Sequence, residues 1–374
     1  LAHARLSAAP GQAVVAGAGV IASVALAAAM SIMVSSFRVS VDDWLGQLLP
    51  ADLYVRASSA AASGYLDAEA VARIAALEGV ADIGTTRLVN LRLSDEEPVF
   101  SLLSRVVGGG WGLPLIAGGK DAPAGAALPP VWVSEAAADR HRLSVGERFA
   151  LPLGGRMETF VVAGIWRDYA RQHGAAVLNA PDYVRLTGDR RINDVALRVA
   201  PGHPPAAVAE RVRALFGAEH VRIALPAEIR AATLEIFDRT FLITYLMEAV
   251  AVVIGLFGIA TTFAALATTR QGEFGMLRHL GLTRGEIGRL IALEGALTAA
   301  LGVVAGLLAG GAIGWVLIEV INRQSFHWSM DLAVPWAPLA LFAHALVALA
   351  ALVARLAGAQ AMRRSAVLAV KADW

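Results

Sequence analysis

The chain has 374 residues, of which 57% are apolar, 17% are charged and 36 are Gly. Soluble domains carry about 45–50% apolar residues and about a quarter charged ones, so this composition excludes an ordinary water-soluble chain. The 32 basic and 31 acidic residues form no block of either sign, which excludes nucleic acid as a partner, and the absence of Cys removes disulfides, thiol catalysis and Cys-ligated metals.

Four stretches are long enough to cross the hydrocarbon of a bilayer, which takes about 20 helical residues. Residues 13–35 carry no charge, 241–268 only Glu248, 291–318 only Glu294, and 336–358 only His344 and, near the end, Arg355. Arg5 and the run Ala25, Leu26, Ala27 imitate a signal peptide at the first stretch. Its apolar run exceeds the roughly 7–15 residues of a signal core, so a span is the better reading.

Between the first two spans the composition changes. Of all charged residues, 46 fall between Arg38 and Arg239. The predicted architecture is an α-helical membrane protein with four transmembrane helices, one plus three, and a large inserted extracytoplasmic α+β domain. Its parts are a start and first span over 1–36, the inserted domain over 37–240, and a three-span region over 241–374.

Within the insert, alternation predicts a strand over 52–57. Asp67 caps a helix reaching Leu77, and Gly79 ends it. Strands are predicted over 87–93 and 99–106, and the Gly- and Pro-dense stretch 108–130 reads as a loop. A strand at 131–133, a short helix from Ser134, and strands over 148–151, 159–165, 177–179 and 195–199 follow. A helix over 205–216, a strand over 221–225 and a helix from Glu228 into the second span complete the domain.

Orientation follows from the basic residues outside the insert. Arg5, Arg270, Arg278, Arg284, Arg289, Arg355, Arg363, Arg364 and Lys371 fall on one side and Arg323 on the other. Cytoplasmic loops hold the excess of Lys and Arg, so both termini and the 269–290 loop are expected in the cytoplasm. The insert and the 319–335 loop are expected outside.

Several motifs bear on chemistry. Gly118, Gly119, Lys120 and Asp121 imitate a phosphate-binding loop but lack its glycine spacing and its Ser/Thr. His141, His173, His203 and His220 are scattered without metal-ligand spacing, and no serine has a nucleophile-elbow setting. No catalytic, cofactor-binding or metal-binding residue is expected. Gly302, Gly306, Gly310 and Gly314 recur every fourth residue, a ridge on which another helix packs closely in lipid. Glu248, Glu294 and His344 are intramembrane ionisable groups, structural or gating elements in one reading and a proton path in another. In the 269–290 loop, Phe274, Leu277 and Arg278 sit at helical spacing and Gly281 supplies a C-cap. Thr283 and Glu286 then form a capping box that starts the next helix.

This loop resembles the FtsX-like permease family, the MacB-type membrane subunits of ABC systems. The likeness rests on Arg270, Glu273, the run Leu277 to Gly281, Thr283, Arg284 and Ile287, followed by Glu294. The tail 362–368 and the outer segments 133–135, 143–147 and 159–165 are similar to the family as well. The opening at Ala4, Arg5 and Leu6 looks like the second half of a duplicated permease.

The resemblance implies a subunit without catalysis or cofactor of its own, ATP being bound by a separate cytoplasmic ABC ATPase. That ATPase would dock on Arg270, Glu273, Phe274, Leu277, Arg278, Gly281 and Arg284. The implied partners are this ATPase, membrane lipids, and a second permease half or second copy. The cargo would be a lipid, lipoprotein or other hydrophobic compound. An alternative is a mechanical regulator of an extracytoplasmic partner protein that moves no cargo.

Overall fold

The computed structural model describes residues 10–58, 64–108, 110–121, 123, 125, 127–217, 220–269 and 271–361. The chain divides into two compact units. A helical unit comprises residues 1–37, 238–320 and 331–374, and a sheet unit comprises 38–237 and 321–330. Segment 321–330 thus belongs with the sheet unit, although it falls within the three-span region that the sequence bounds at 241–374.

Four long helices carry the apolar stretches. Helix α1 runs Pro10–Leu48, α6 Pro226–Thr269, α8 Arg284–Val316 and α10 Trp336–Ala361. All four are long and apolar enough to cross a membrane. Within the helical unit, Val20 and Val24 of α1 join Ile287, Ile291, Ala299 and Val303 of α8 and Leu346, Ala350 and Ala354 of α10 in one buried cluster. Ser36 of α1 also accepts from the backbone N–H of Ala333 at 2.9 Å, which satisfies a donor just ahead of α10.

The sheet unit is built on ten strands among the described residues. They are β1 Leu53–Ala57, β2 Val80–Leu91, β3 Phe100–Arg105, β4 Leu115–Gly118, β5 Pro130–Ser134, β6 Arg148–Leu153, β7 Arg156–Trp166, β8 Ala175–Asn179, β9 Asp194–Val199 and β10 Val221–Ala224. Their order is β10-β1-β9-β2-β3-β8-β5-β7-β4, with β6 pairing β7. The pairs β3/β8 and β5/β7 are parallel and the others antiparallel.

Four short helices join the strands: α2 Ala68–Ala75, α3 Glu135–His141, α4 Ala180–Thr187 and α5 Pro205–Phe216. Alternation along each strand gives the sheet two faces. Leu53, Val55, Val195 and Leu197 pack against Val71 and Ile74 of α2 and Val208 and Val212 of α5. Phe100, Leu102, Val131, Val133 and Leu178 pack with Ala137 of α3 and Tyr183 of α4.

The predicted caps form. Asp67 accepts from the Ala70 N–H at 2.8 Å, and Ser134 accepts from the N–H groups of Ala137 at 3.2 Å and Ala175 at 2.9 Å. Ser134 therefore ties α3 to the start of β8. Two elements depart from the expectation. The stretch read as a loop over 108–130 contains the edge strand β4, whose register Gly118↔Gly164 brings two backbones close. A Cβ on Gly118 would lie 2.3 Å from the Ala163 carbonyl oxygen. The glycine taken as a loop signal is thus what allows the pairing. Helix α4 was not expected; Pro181 in its first turn and Gly188 at φ +71° after it supply its start and stop.

A polar knot holds the end of α4 to β2. Asp189 accepts from Arg87 Nε at 2.9 Å, Arg191 Nε at 2.8 Å and the Tyr183 hydroxyl at 3.1 Å. Burial pushes its carboxyl up, but the bonds from Arg191 and Arg87 outweigh this and hold it well below the usual carboxylate range. A depressed folded-state value stabilises above the unfolded value, near pH 4, and that contribution is lost as the folded carboxylate protonates at lower pH. The Arg87 and Asp189 side chains are each only 13% exposed. Asp189→Ala is expected to lower stability by about 3 kcal/mol at pH 7. Denaturant unfolding at pH 7 and pH 3 checks it: the gap to wild type should narrow in acid, and a gap unchanged with pH would refute the assignment.

Candidate functional site

The short helix α7, Gln271–His279, lies between the second and third long helices. Its end is closed as the sequence implies. Gly281 adopts φ +96°, and the N–H groups of Gly281 and Leu282 donate to the carbonyls of Arg278 and Leu277 at 3.1 Å each. Thr283 and Glu286 then exchange the two bonds of a capping box at the start of α8. A closed stop at Gly281 and a capped start at Thr283 thus lie two residues apart.

The side chains divide differently from the sequence expectation. Phe274 was expected to present its ring to a partner, but it is 4% exposed. It packs within the helical unit with Ile287 and Ile291, and Leu277 and Leu282 lie half-buried beside it. The physical reason is that α7 itself needs an apolar anchor, and Phe274 supplies it. Arg278 is half-buried, whereas Glu273, Gly281 and Arg284 are exposed; Arg270 lies outside the described residues, as does the tail 362–368. The exposed apolar groups of this segment are Met276 and Leu280, at 67% and 72%. Glu273, Met276 and Leu280 are spaced i, i+3, i+7 and line one face. The sequence points to 273–280 as the docking stretch and places Leu280 in the family run, but it singles out neither Met276 nor Leu280 as a docking side chain.

The glycines of α8 meet α1. A Cβ on Gly306 would lie 2.7 Å from Val24 Cβ, and one on Gly310 would lie 2.7 Å from both the Ala25 carbonyl oxygen and Ala28 Cβ. At Gly314 the nearest atoms, on Ile32, are 3.4 Å away. Gly302 is buried on the same helix. Two more glycines behave alike: a Cβ on Gly255 of α6 would reach Ser23 Oγ of α1, and one on Gly358 of α10 would lie 2.5 Å from Ile291 Cδ1 of α8.

Glu248 and Glu294 are partly buried and His344 is exposed. His344 Nδ1 pairs with the Ala340 carbonyl on its own helix at 2.7 Å. Among the described residues no three His, Asp or Glu side chains converge to ligating distance. His141 packs against the rings of Phe100 and Phe149, and burial lowers its basicity.

One site in the sheet unit went unread. The segment 321–330, which contains the four-residue helix α9 Arg323–Phe326, is gripped by α3 and by the chain after β7. Ser329 donates through its N–H and Oγ to Glu135 Oε2 at 2.9 and 3.0 Å. Its Oγ accepts from Arg167 Nη2 at 3.1 Å, and its carbonyl accepts from the Tyr169 hydroxyl at 2.9 Å. Asp139, one turn beyond Glu135, meets His327 Nδ1 at 2.5 Å. Trp44, Tyr169, Trp328 and Phe326 form a run of ring contacts 5.2–5.7 Å apart. The Trp44 indole N–H donates to the Arg167 carbonyl at 2.9 Å. The sequence signal was faint: two aromatic residues in a short connection between spans.

Four apolar helices and a sheet-rich insert define a multi-pass membrane protein with an inserted α+β domain. Residues 14–215 match the MacB-like periplasmic core domain, and 245–366 match the FtsX-like permease C-terminal region. The chain belongs to the FtsX-like, MacB-type ABC transporter permeases of the inner membrane.

It is 29% identical over 328 residues to the uncharacterized ABC transporter permease protein Rv0987 of Mycobacterium tuberculosis, covering 84% of this chain and 38% of that protein. Over 150 residues it is 22% identical to the probable syringafactin export ATP-binding/permease protein SyfD of Pseudomonas syringae pv. tomato, covering 39% and 22%. The chain therefore spans less than half the length of either relative. The periplasmic region of MacB from Actinobacillus actinomycetemcomitans aligns at 13% identity and TM-score 0.37, over 50% of this chain and 95% of that one.

Proposed function

We propose that this chain is the permease subunit that converts ATP hydrolysis on a separate cytoplasmic ATPase into motion of the sheet unit, for export or extraction of a lipid, lipoprotein or other hydrophobic substrate. The observation that carries the reading is α7, anchored from beneath by Phe274, capped at its end, and offering Glu273, Met276 and Leu280 on its exposed face. A short helix with a mixed apolar and charged face suits the docking groove of a soluble protein. No cofactor is needed on this chain; ATP stays with the partner. Helix α6 exposes Leu246, Val250, Val253 and Phe257, an apolar surface suited to lipid or to a second permease half. The unbroken helix Pro226–Thr269 equally suits a subunit that passes motion to an extracytoplasmic enzyme without moving cargo. A screen of lipids for stimulated ATP hydrolysis by the assembled complex separates the two, since only the transport reading requires stimulation.

This function requires α7 in the cytoplasm and the sheet unit outside. The chain has no Cys, so single cysteines report cleanly. Cysteines replacing Asp121 and Arg190 are expected to react with a membrane-impermeant thiol reagent in spheroplasts, and one replacing Gly285 only after permeabilisation. Labelling at Gly285 in intact spheroplasts would overturn the orientation. Trp315 and Trp336, 54% and 76% exposed at the facing ends of α8 and α10, fit an interfacial aromatic belt on the outer side.

A further inference from the structure

Segment 321–330 is short, yet it makes a dense set of sequence-distant contacts. Ser329 uses its N–H, its carbonyl and its hydroxyl on three different residues of the sheet unit: Glu135, Arg167 and Tyr169. Trp328 is 3% exposed, and Asn322, itself buried, donates to the Trp328 carbonyl at 2.8 Å and so fixes the bend from inside. His327 takes a left-handed conformation at φ 59°, uncommon for a residue with a side chain, and from there its ring reaches Asp139. A segment that merely joined two membrane helices would need none of this. Loops are ordinarily solvated and mobile because few buried contacts hold them.

The ends of the segment matter as much as its middle. On one side it continues into α8 through a π-helical turn, Leu317–Asn322, and on the other it leads through five residues to α10. Such turns are rare and concentrate where a helix must do something besides pack. The chain passes from the helical unit into the sheet unit within this turn, between Val320 and Ile321, and returns between Met330 and Asp331.

We propose that segment 321–330 is a latch: it fastens the sheet unit to the ends of α8 and α10, making these two helices a second drive connection beside α1 and α6. This rests on the ATPase-coupling reading above and deepens it. Displacement of α8, against which α7 packs through Phe274, then reaches α3 and the Arg167–Tyr169 corner directly. Glu135 and Tyr169 are positioning residues, holding Ser329 at a fixed place on the sheet unit. Trp44, packed on Tyr169, joins the end of α1 to the same corner.

The test uses the full chain with its partner ATPase in nanodiscs, with spin labels on cysteines replacing Arg190 in the sheet unit and Gly285 at the start of α8. The nucleotide-driven change in their separation is read beside the rate of ATP hydrolysis. Glu135→Ala with Ser329→Ala removes the Glu135 bonds; Tyr169→Phe removes one hydroxyl and keeps the ring. Glu135→Gln keeps an acceptor for Ser329. The double variant is expected to lose the separation change by about five-fold or more, the lower end of ordinary coupling energies, with hydrolysis within about two-fold of wild type. Tyr169→Phe should lose part of it, and Glu135→Gln should retain most. Thermal melting identifies any variant that fails to fold, and the milder Tyr169→Phe then decides. If wild type responds to nucleotide and Tyr169→Phe and the double variant respond equally, the latch is refuted while the coupling reading stands. If wild type itself shows no change, the coupling reading falls and the latch falls with it.

Discussion

Gly310→Ala is expected to destabilise the helical unit far more than Gly311→Ala, although the two glycines are neighbours on one helix. A methyl group on Gly310 would sit 2.7 Å from the Ala25 carbonyl oxygen and from Ala28 Cβ, and backbone cannot rotate out of the way. At Gly311 nothing lies within 4 Å. Overpacking of this kind costs about 1–3 kcal/mol, and more for a side chain larger than methyl. Ala at the open position instead gains up to about 1 kcal/mol of helix propensity. The same propensity gain operates at Gly310, so the two substitutions should differ by the overpacking cost, about 1–3 kcal/mol. Gly306→Ala, facing Val24 at 2.7 Å, should resemble Gly310→Ala, and Gly314→Ala, at 3.4 Å, should be milder. Melting temperature in detergent, with yield of monodisperse protein, reads the order. Equal behaviour of Gly310→Ala and Gly311→Ala would mean that α1 and α8 do not approach closely in the membrane. Gly310→Leu should prevent assembly of the helical unit while the sheet unit, whose core is separate, keeps its fold.

Much of the architecture was visible in residue patterns because the bilayer imposes a coarse rule that local composition can meet. Apolar length alone marks the four long helices, and charge alone marks the insert. Within the insert, strands flanked by clear breakers were legible, as were the caps at Asp67 and Ser134, whose chemistry is local. Strand β4 was not: its signal is a glycine that a loop would use just as well, and only the pairing with Gly164 reveals its purpose. Around α7 the cap residues Gly281, Thr283 and Glu286 were legible for the same local reason. The division of labour between Phe274 and Met276 was not, because which face of a nine-residue helix turns inward depends on Ile287 and Ile291 in the next helix. The grip on Ser329 lay further out of reach. Its partners Glu135, Arg167 and Tyr169 are 160 or more residues away, and no periodicity links them.

Glu273→Arg and Leu280→Glu are expected to release the ATPase while leaving the helical unit folded and inserted. Leu280 is 72% exposed and Met276 67%, so neither contributes to the core that Phe274 anchors. Exposed apolar side chains beside a carboxylate make a small docking face in which the apolar groups supply affinity and the charge fixes register. Reversing a charge that becomes buried on docking costs about 2–5 kcal/mol, and placing a carboxylate where Leu280 enters a groove costs a comparable amount through desolvation. Either loss lowers affinity by about 30-fold or more, enough to abolish co-purification of a complex with micromolar or weaker affinity. Phe274→Ala separates docking from folding. Truncating a buried Phe costs about 3–5 kcal/mol of stability, so that variant should melt earlier and lose the ATPase only together with its fold. A carrier driven by protons through Glu248, Glu294 and His344 would instead be indifferent to changes on α7 and sensitive to Glu248→Gln and Glu294→Gln. The decisive measurement is recovery of the ATPase with affinity-tagged permease, alongside ATP-dependent activity in proteoliposomes. Retention of both by Glu273→Arg and Leu280→Glu would remove α7 as the docking helix, and with it the observation on which the proposed function rests.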